Sequence, residues 1–418
     1  MLKNMSIDRQ ELGRRLREAR EACGLTQQQV GDKLGVSRAT VAQMELGNRE
    51  VSSLELDRLA WLYGRDIRSF LAPEFSSKDA LTVLFRAGPD LAGNEAVAEE
   101  LRRCIALGRE ISNLEALLDI ERDYLVPAQY PLGVPANRWE AIRQGAHVAQ
   151  EERRRLDLGD AAIPDVGELL ESQGVRAITL PLPKDVSGLT IREEGVGILV
   201  VANESHGVLR RRFSYAHEYA HVLLDRERAG TISRAADRDE LLEVRANAFA
   251  ASFLMPEAGV LRFIAGLGKG LPSRSVAEVY DEAGVVRAQR RARPGSQTIQ
   301  IYELVQLAHA FGVSTITALY RLRNLRPPLV SEVELARLKD LIEGGIDKEA
   351  REIMELPDPE TEYTTHNEFK RRFLGLALEA YRRELISRAK LAELAQLVKV
   401  APERLARLIG DAGIDEDE

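Results

Sequence analysis

The chain has 418 residues, 44% hydrophobic and 30% charged, with a formal net charge of −8. That length exceeds one ordinary core and predicts two to four domains, while no apolar run reaches the roughly 18 residues needed to cross a bilayer. Cys23 and Cys104 are the only cysteines, which excludes a disulfide framework; with a charged N-terminus unlike a signal peptide, the expectation is a cytoplasmic protein without a membrane partner.

An acidic balance argues against indiscriminate nucleic-acid binding. The first 73 residues differ, with 12 Lys/Arg against 10 Asp/Glu. Within them Leu25-Thr-Gln-Gln-Gln-Val30 carries two helix-start devices. Thr26 can cap the Gln29 amide while Gln29 reaches back, and Leu25 can staple to Val30. Gly35 suits a left-handed stop, and Ser37 starts a second helix with Val36 and Val41 as its staple pair. So tight a junction predicts a helix-turn-helix unit. In its second helix Val41, Met44 and Leu46 are expected to turn inward. Ser37, Arg38, Ala39, Thr40 and Gln43 then face the DNA major groove, where Arg suits guanine and Gln suits adenine. Gln27, Asn48 and Arg49 are placed for phosphates.

Residues 74–128 read as a helical connector ended by Pro127, Pro131 and Pro135. Helices are expected at Arg138–Leu156 and Asp165–Gln173. β-Branched runs at Val175–Leu180, Leu189–Arg192 and Ile198–Val201 predict strands. Helices at Leu209–Leu224 and Arg238–Leu254 follow. From 257 to 418 the pattern is almost wholly helical, with a Gly/Arg/Pro-rich interruption at 266–296 that holds Arg287, Arg290, Arg291 and Arg293, and an acidic end at Asp415–Glu418. Helix–turn–helix patterns recur at Leu304–Leu325 and Ser387–Ile409, read as packing hairpins.

The stretch Ala216-His217-Glu218-Tyr219-Ala220-His221 carries the chemistry. On a helix, residues i and i+4 share a face, so His217 and His221 can reach one ion. Two imidazoles suit zinc and leave room for a third ligand and a water. Zinc bound there supplies an acidified water and a polarised carbonyl; Glu218 is placed to take the water's proton and deliver it to a leaving amine. No histidine follows closely, so a carboxylate is the natural third ligand. Glu243 is the leading candidate, with Asp237, Asp239 and Glu240 weaker.

The stretch from Leu25 to Arg49 resembles the Cro/C1-type (XRE) regulators over about residues 10–70, with Gly31 where a small alanine is usual. The resemblance implies binding to double-stranded operator DNA, commonly as a homodimer. Residues 136–256 resemble the ImmA/IrrE zinc metallopeptidases. The matching parts are Asp165-Val-Gly-Glu-Leu-Leu, Val186-Ser-Gly, Ile198-Leu-Val-Val-Ala-Asn203, Arg211 through His221, and Glu243 through Pro256. That resemblance implies His217, His221 and Glu243 as Zn2+ ligands and Glu218 as base; Tyr219-Ala220 replaces the usual Leu-Gly.

The expected fold is multidomain and mostly α: an all-α helix-turn-helix domain (1–73), the connector (74–128), an α+β zincin-like domain with a small sheet (129–260), a helical extension (261–330) and a C-terminal helical domain (331–418). The expected function is a regulator whose metallopeptidase domain cleaves a repressor or operon partner. The alternative is an antitoxin-type autoregulator whose zinc domain senses or binds a partner, such as a toxin, without proteolysis.

Overall fold

The structure is a computed structural model that describes residues 7–73, 75, 80–120, 127–270, 274–281, 284–291, 296–363 and 368–411; Arg293 and the acidic end Asp415–Glu418 lie outside them. Five short helices come first: α1 (Arg9–Ala22), α2 (Gln27–Leu34), α3 (Arg38–Glu45), α4 (Ser53–Leu62) and α5 (Ile67–Leu71). The anticipated caps are present. Thr26 and Gln29 form a reciprocal capping box, Gly35 closes α2 at φ 73°, and Ser37 accepts from the Thr40 amide. Val30 and Val41 are buried with Leu25 and Val36 packed against them. Leu46 corrects the sequence reading, being 57% exposed. It lies five residues beyond Val41, where the 3.6-residue period turns a side chain away from the buried stripe. Gly31 also has a positive role, since a Cβ there would lie 2.7 Å from the Val36 carbonyl oxygen, and the α2–α3 turn closes against it.

The connecting segment forms α6 (Ala80–Ala87), α7 (Pro89–Gly93) and the long α8 (Glu95–Leu117). Next come α9 (Arg138–Arg155), α10 (Val166–Ser172), β1 (Val175–Leu180), β2 (Val186–Glu193), β3 (Gly197–Asn203), α11 (Val208–Leu224), β4 (Gly230–Arg234) and α12 (Leu241–Leu254). The sheet order is β1-β3-β2-β4. β1 runs parallel to β3, while β2 runs antiparallel to β3 and β4. Alternation along each strand separates two faces. Leu189, Ile191, Leu199 and Val201 enter one core and Val200 and Ala202 another.

The first core is continuous through the five N-terminal helices, α6–α8 and one sheet face, and it includes Phe373, Leu391 and Leu394 from the C-terminal region. The second lies under α9–α12 and extends to Leu304, Leu319 and Leu338. Two strands were not anticipated beyond α13 (Glu257–Gly266). β5 (Arg274–Asp281) and β6 (Gly284–Arg291) pair antiparallel inside the segment read as a Gly/Arg/Pro-rich interruption. The valines at 276, 279, 285 and 286 give that segment its strand propensity. Arg287, Arg290 and Arg291 lie on β6.

Eight helices follow: α14 (Ile301–Phe311), α15 (Thr315–Asn324), α16 (Glu332–Glu343), α17 (Ile346–Ile353), α18 (Pro359–Glu362), α19 (Glu368–Arg382), α20 (Arg388–Leu397) and α21 (Pro402–Asp411). In α15 Ala318, Leu319 and Leu322 are fully buried, and Arg321 donates to the Met255 carbonyl at 2.9 Å. Its inner surface is thus occupied by the metal-side core. Among the described residues, no single helix is long and apolar enough to cross a membrane.

Candidate metal centre and nucleic-acid interface

Helix α11 starts at Gly207 without a cap of its own. The missing acceptor comes from far downstream: Glu360 Oε1 accepts the Val208 amide at 2.6 Å. Arg212 fixes the same end by donating to the Gly312 and Pro164 carbonyls at 3.0 and 2.6 Å. Ala216 and Ala220 bury the helix against the second core, so the histidines project from a rigid support. Helix α12 crosses α11 and brings Glu243 to them.

Two ring nitrogens and one carboxylate converge. Nε2 of His217 is 3.1 Å from Glu243 Oε2 and 3.3 Å from Nε2 of His221, which is 3.3 Å from Glu243 Oε1. Tetrahedral bonds of the zinc–nitrogen length place ligand atoms about 3.3 Å apart, the separation found here. The outer ring nitrogens are held as well: His217 Nδ1 meets Asn247 Oδ1 at 3.0 Å and His221 Nδ1 meets Asp225 Oδ2 at 2.8 Å. A proton on each Nδ1 satisfies those acceptors and turns both Nε2 lone pairs toward the carboxylate. Two lone pairs and a carboxylate facing one point repel unless a cation lies between them, so the residues fit a zinc ion. His217, His221 and Glu243 form the one such cluster among the described residues.

Without an ion, a proton meets the same field. Burial opposes charge on His221, but its hydrogen bonds to Asp225 and Glu243 and the nearby Glu218 carboxylate outweigh that and raise its pKa to about 10. Burial likewise opposes charge on Glu243, yet hydrogen bonds from His217 and His221 hold its pKa well below the usual carboxylate range.

Glu218 is fully buried on the neighbouring turn. Thr190 Oγ1 donates to its Oε2 at 2.8 Å, leaving Oε1 without a partner among the described residues. Gly188 provides the space: a Cβ there would lie 2.9 Å from Oε1 and 2.8 Å from the Val201 oxygen. Asp225 is paired in turn with Arg245, which also donates to Gln144 Oε1 at 3.2 Å. Tyr219, which replaces the usual leucine, reaches inward; its hydroxyl donates to the fully buried Glu152, which also accepts from Tyr130 at 2.7 Å and from Arg155. Of the weaker acids, Asp239 is exposed and paired with Arg138, and Glu240 stands at the N-cap position of α12 without a side-chain capping bond.

On the recognition side Arg38, Ala39 and Gln43 are exposed along the outer N-terminal part of α3, with Ser37 exposed at its cap and Thr40 half-buried. Asn48 donates to Gln43 Oε1 at 3.0 Å and orients it, while Arg49 pairs with Glu55 at 2.9 Å. Gln27 is half-buried and donates to Glu45 Oε2 at 2.9 Å; Glu45 is itself paired with Arg20.

The positioning residues Asp225, Asn247, Thr190 and Arg245 were not assigned roles by sequence reasoning. Asp225 follows His221 at i+4 and Asn247 follows Glu243 at i+4, a helical spacing that offers a signal. Thr190 reaches the site only through the fold of the sheet.

The family model for a helix-turn-helix domain matches residues 11–68, and the model for the IrrE N-terminal-like domain, a peptidase family, matches residues 170–281. No curated protein matches the chain. The chain therefore joins a Cro/C1-type helix-turn-helix domain to an IrrE-like, metallopeptidase-like domain.

Proposed function

We propose that this protein is a DNA-binding transcriptional regulator whose zinc-dependent, substrate-restricted endopeptidase cleaves a repressor or operon partner. The observation that carries the reading is Oε1 of Glu218, without a partner among the described residues, beside two imidazole nitrogens and a carboxylate drawn to within 3.3 Å of one another. His217, His221 and Glu243 would hold the zinc, which would supply an acidified water and polarise the scissile carbonyl. Glu218 accepts the proton through Oε1 while Thr190 keeps Oε2 in place, and then passes it to the leaving nitrogen. Asp225 and Asn247 hold the imidazoles in the ligating tautomer. With only three protein residues to hold it, the zinc would keep a position open to water or substrate, which favours catalysis over a purely structural site.

Ser37, Arg38, Ala39, Thr40 and Gln43 form the proposed base-reading surface, with Gln27, Asn48 and Arg49 toward the phosphates. A homodimer on a two-fold operator in the cytoplasm is the matching assembly. The fused reader directs any cutting to gene control. The test is incubation of zinc-loaded protein with its operon-encoded partners, wild type against Glu218→Gln, with products read by mass spectrometry. A cleaved partner in the wild type alone is expected. A stable complex with a co-encoded toxin and no product from either form would instead identify a non-proteolytic antitoxin.

A further inference from the structure

Strand β4 lies beside the base and has no role in the chemistry described above. Gly188 and Thr190 on β2 touch Glu218, and the β2–β4 register sets Ser233 opposite Gly188 and Thr231 opposite Thr190. Side chains directly opposite on antiparallel strands share a face, with Cβ atoms about 4.5–5.5 Å apart. Ile232, between them, packs against the opposite core. Thr231 and Ser233 therefore face the same side as Glu218. They are 8% and 1% exposed, and neither hydroxyl has a hydrogen-bond partner among the described residues. Three buried polar atoms without partners thus border one strip of the metal face: Glu218 Oε1, Thr231 Oγ1 and Ser233 Oγ.

A buried hydroxyl without a partner is destabilising, and apolar replacements of similar shape are neutral or better for folding. Such groups fit a ligand that supplies the missing hydrogen bonds. Glu218 delivers its proton to the leaving nitrogen, so groups bordering its free oxygen face the residue that bears that nitrogen. An apolar side chain there would leave both hydroxyls unpaired.

We infer, on the peptidase reading above, that Thr231 and Ser233 form a specificity subsite for the residue supplying the leaving amine, selecting hydrogen-bonding side chains such as Ser, Thr or Asn.

The test uses full-length, zinc-loaded protein and a peptide library made by digesting a proteome, with cleavage sites read by mass spectrometry. Wild type, Thr231→Val, Ser233→Ala and Glu218→Gln are compared, together with zinc content and Tm. The wild type should enrich Ser, Thr and Asn on the amine side of the cut. Each lost hydroxyl should reduce that preference roughly tenfold with zinc retained and Tm at or above the wild-type value. A clear fall in Tm for both variants would show the hydroxyls to be satisfied inside the protein and overturn the subsite. An apolar preference, or a polar one that both variants keep, would overturn it while the peptidase reading stands. Identical patterns from wild type and Glu218→Gln would remove the peptidase reading, and the subsite with it.

Discussion

The two faces of the four-stranded sheet are built from the same strands and put to opposite uses. One presents Leu189, Ile191, Leu199 and Val201 to a core shared with the helix-turn-helix helices and α8. The other presents Gly188 and Thr190, which shape and hold a fully buried carboxylate. On the first face the apolar side chains are held by contact and supply stability in proportion to the area removed from water, and the buried Arg176 is matched by Glu115 and the Ser112 hydroxyl. On the second, polar atoms are buried at a cost, and the ladder shared with the apolar face keeps them in position. The reactive face is affordable because the other side of the same strands is closely packed.

The sharpest way to break this comparison is to alter each face separately. Glu218→Gln preserves shape and should lower cleavage by roughly 10²–10⁴-fold with little change in Tm or operator binding, as measured by product mass spectrometry beside thermal melts. Leu189→Ala, on the apolar face, should cost about 2–5 kcal/mol of stability. Because its core joins both domains, zinc retention and DNA binding should fail in a single transition; two separate melting steps in calorimetry would show the faces to be uncoupled. Arg38→Ala and Gln43→Ala should each weaken operator binding by about 1–3 kcal/mol and relax specificity at one base pair while leaving zinc content intact. Footprints that survive both changes would remove α3 as the reader.

The smallest expected effect is on pH dependence. His221 has a folded pKa of about 10 against its ordinary 6.5, so in chelator its stabilising contribution is complete below 6.5 and lost as pH rises through about 10. Glu243 is held below its ordinary 4.5, so its contribution is present above 4.5 and lost as pH falls. Tm in chelator should therefore decline toward alkaline pH, and zinc should flatten that decline by replacing the proton.

Much of this was legible locally. The Thr26–Gln29 capping box, Gly35, Ser37 and the His217/His221 spacing are short-range devices, and sequence displays short-range devices directly. Glu243 was reachable from its helix pattern and from family resemblance. Leu46 was misplaced because it sits at a helix end, where the period rather than hydrophobicity decides exposure. Thr190, Thr231 and Ser233 were invisible because β2 and β4 meet across about forty residues, and nothing local fixes their register. β4 itself is five residues long, too short for alternation to stand out.

The hydrogen bond from Val208 to Glu360 links positions 152 residues apart. At ribosomal speeds of roughly 5–20 residues per second, the start of the reactive helix waits about 8–30 s for its cap after being synthesised. The helix-turn-helix reader emerges long before that, while α19–α21, which contribute to its shared core, emerge later still. A stalled or truncated product would thus carry an intact DNA-reading sequence over an open apolar surface and an untethered catalytic helix. Synthesis as far as Glu360 is in this sense the first control on the proposed peptidase.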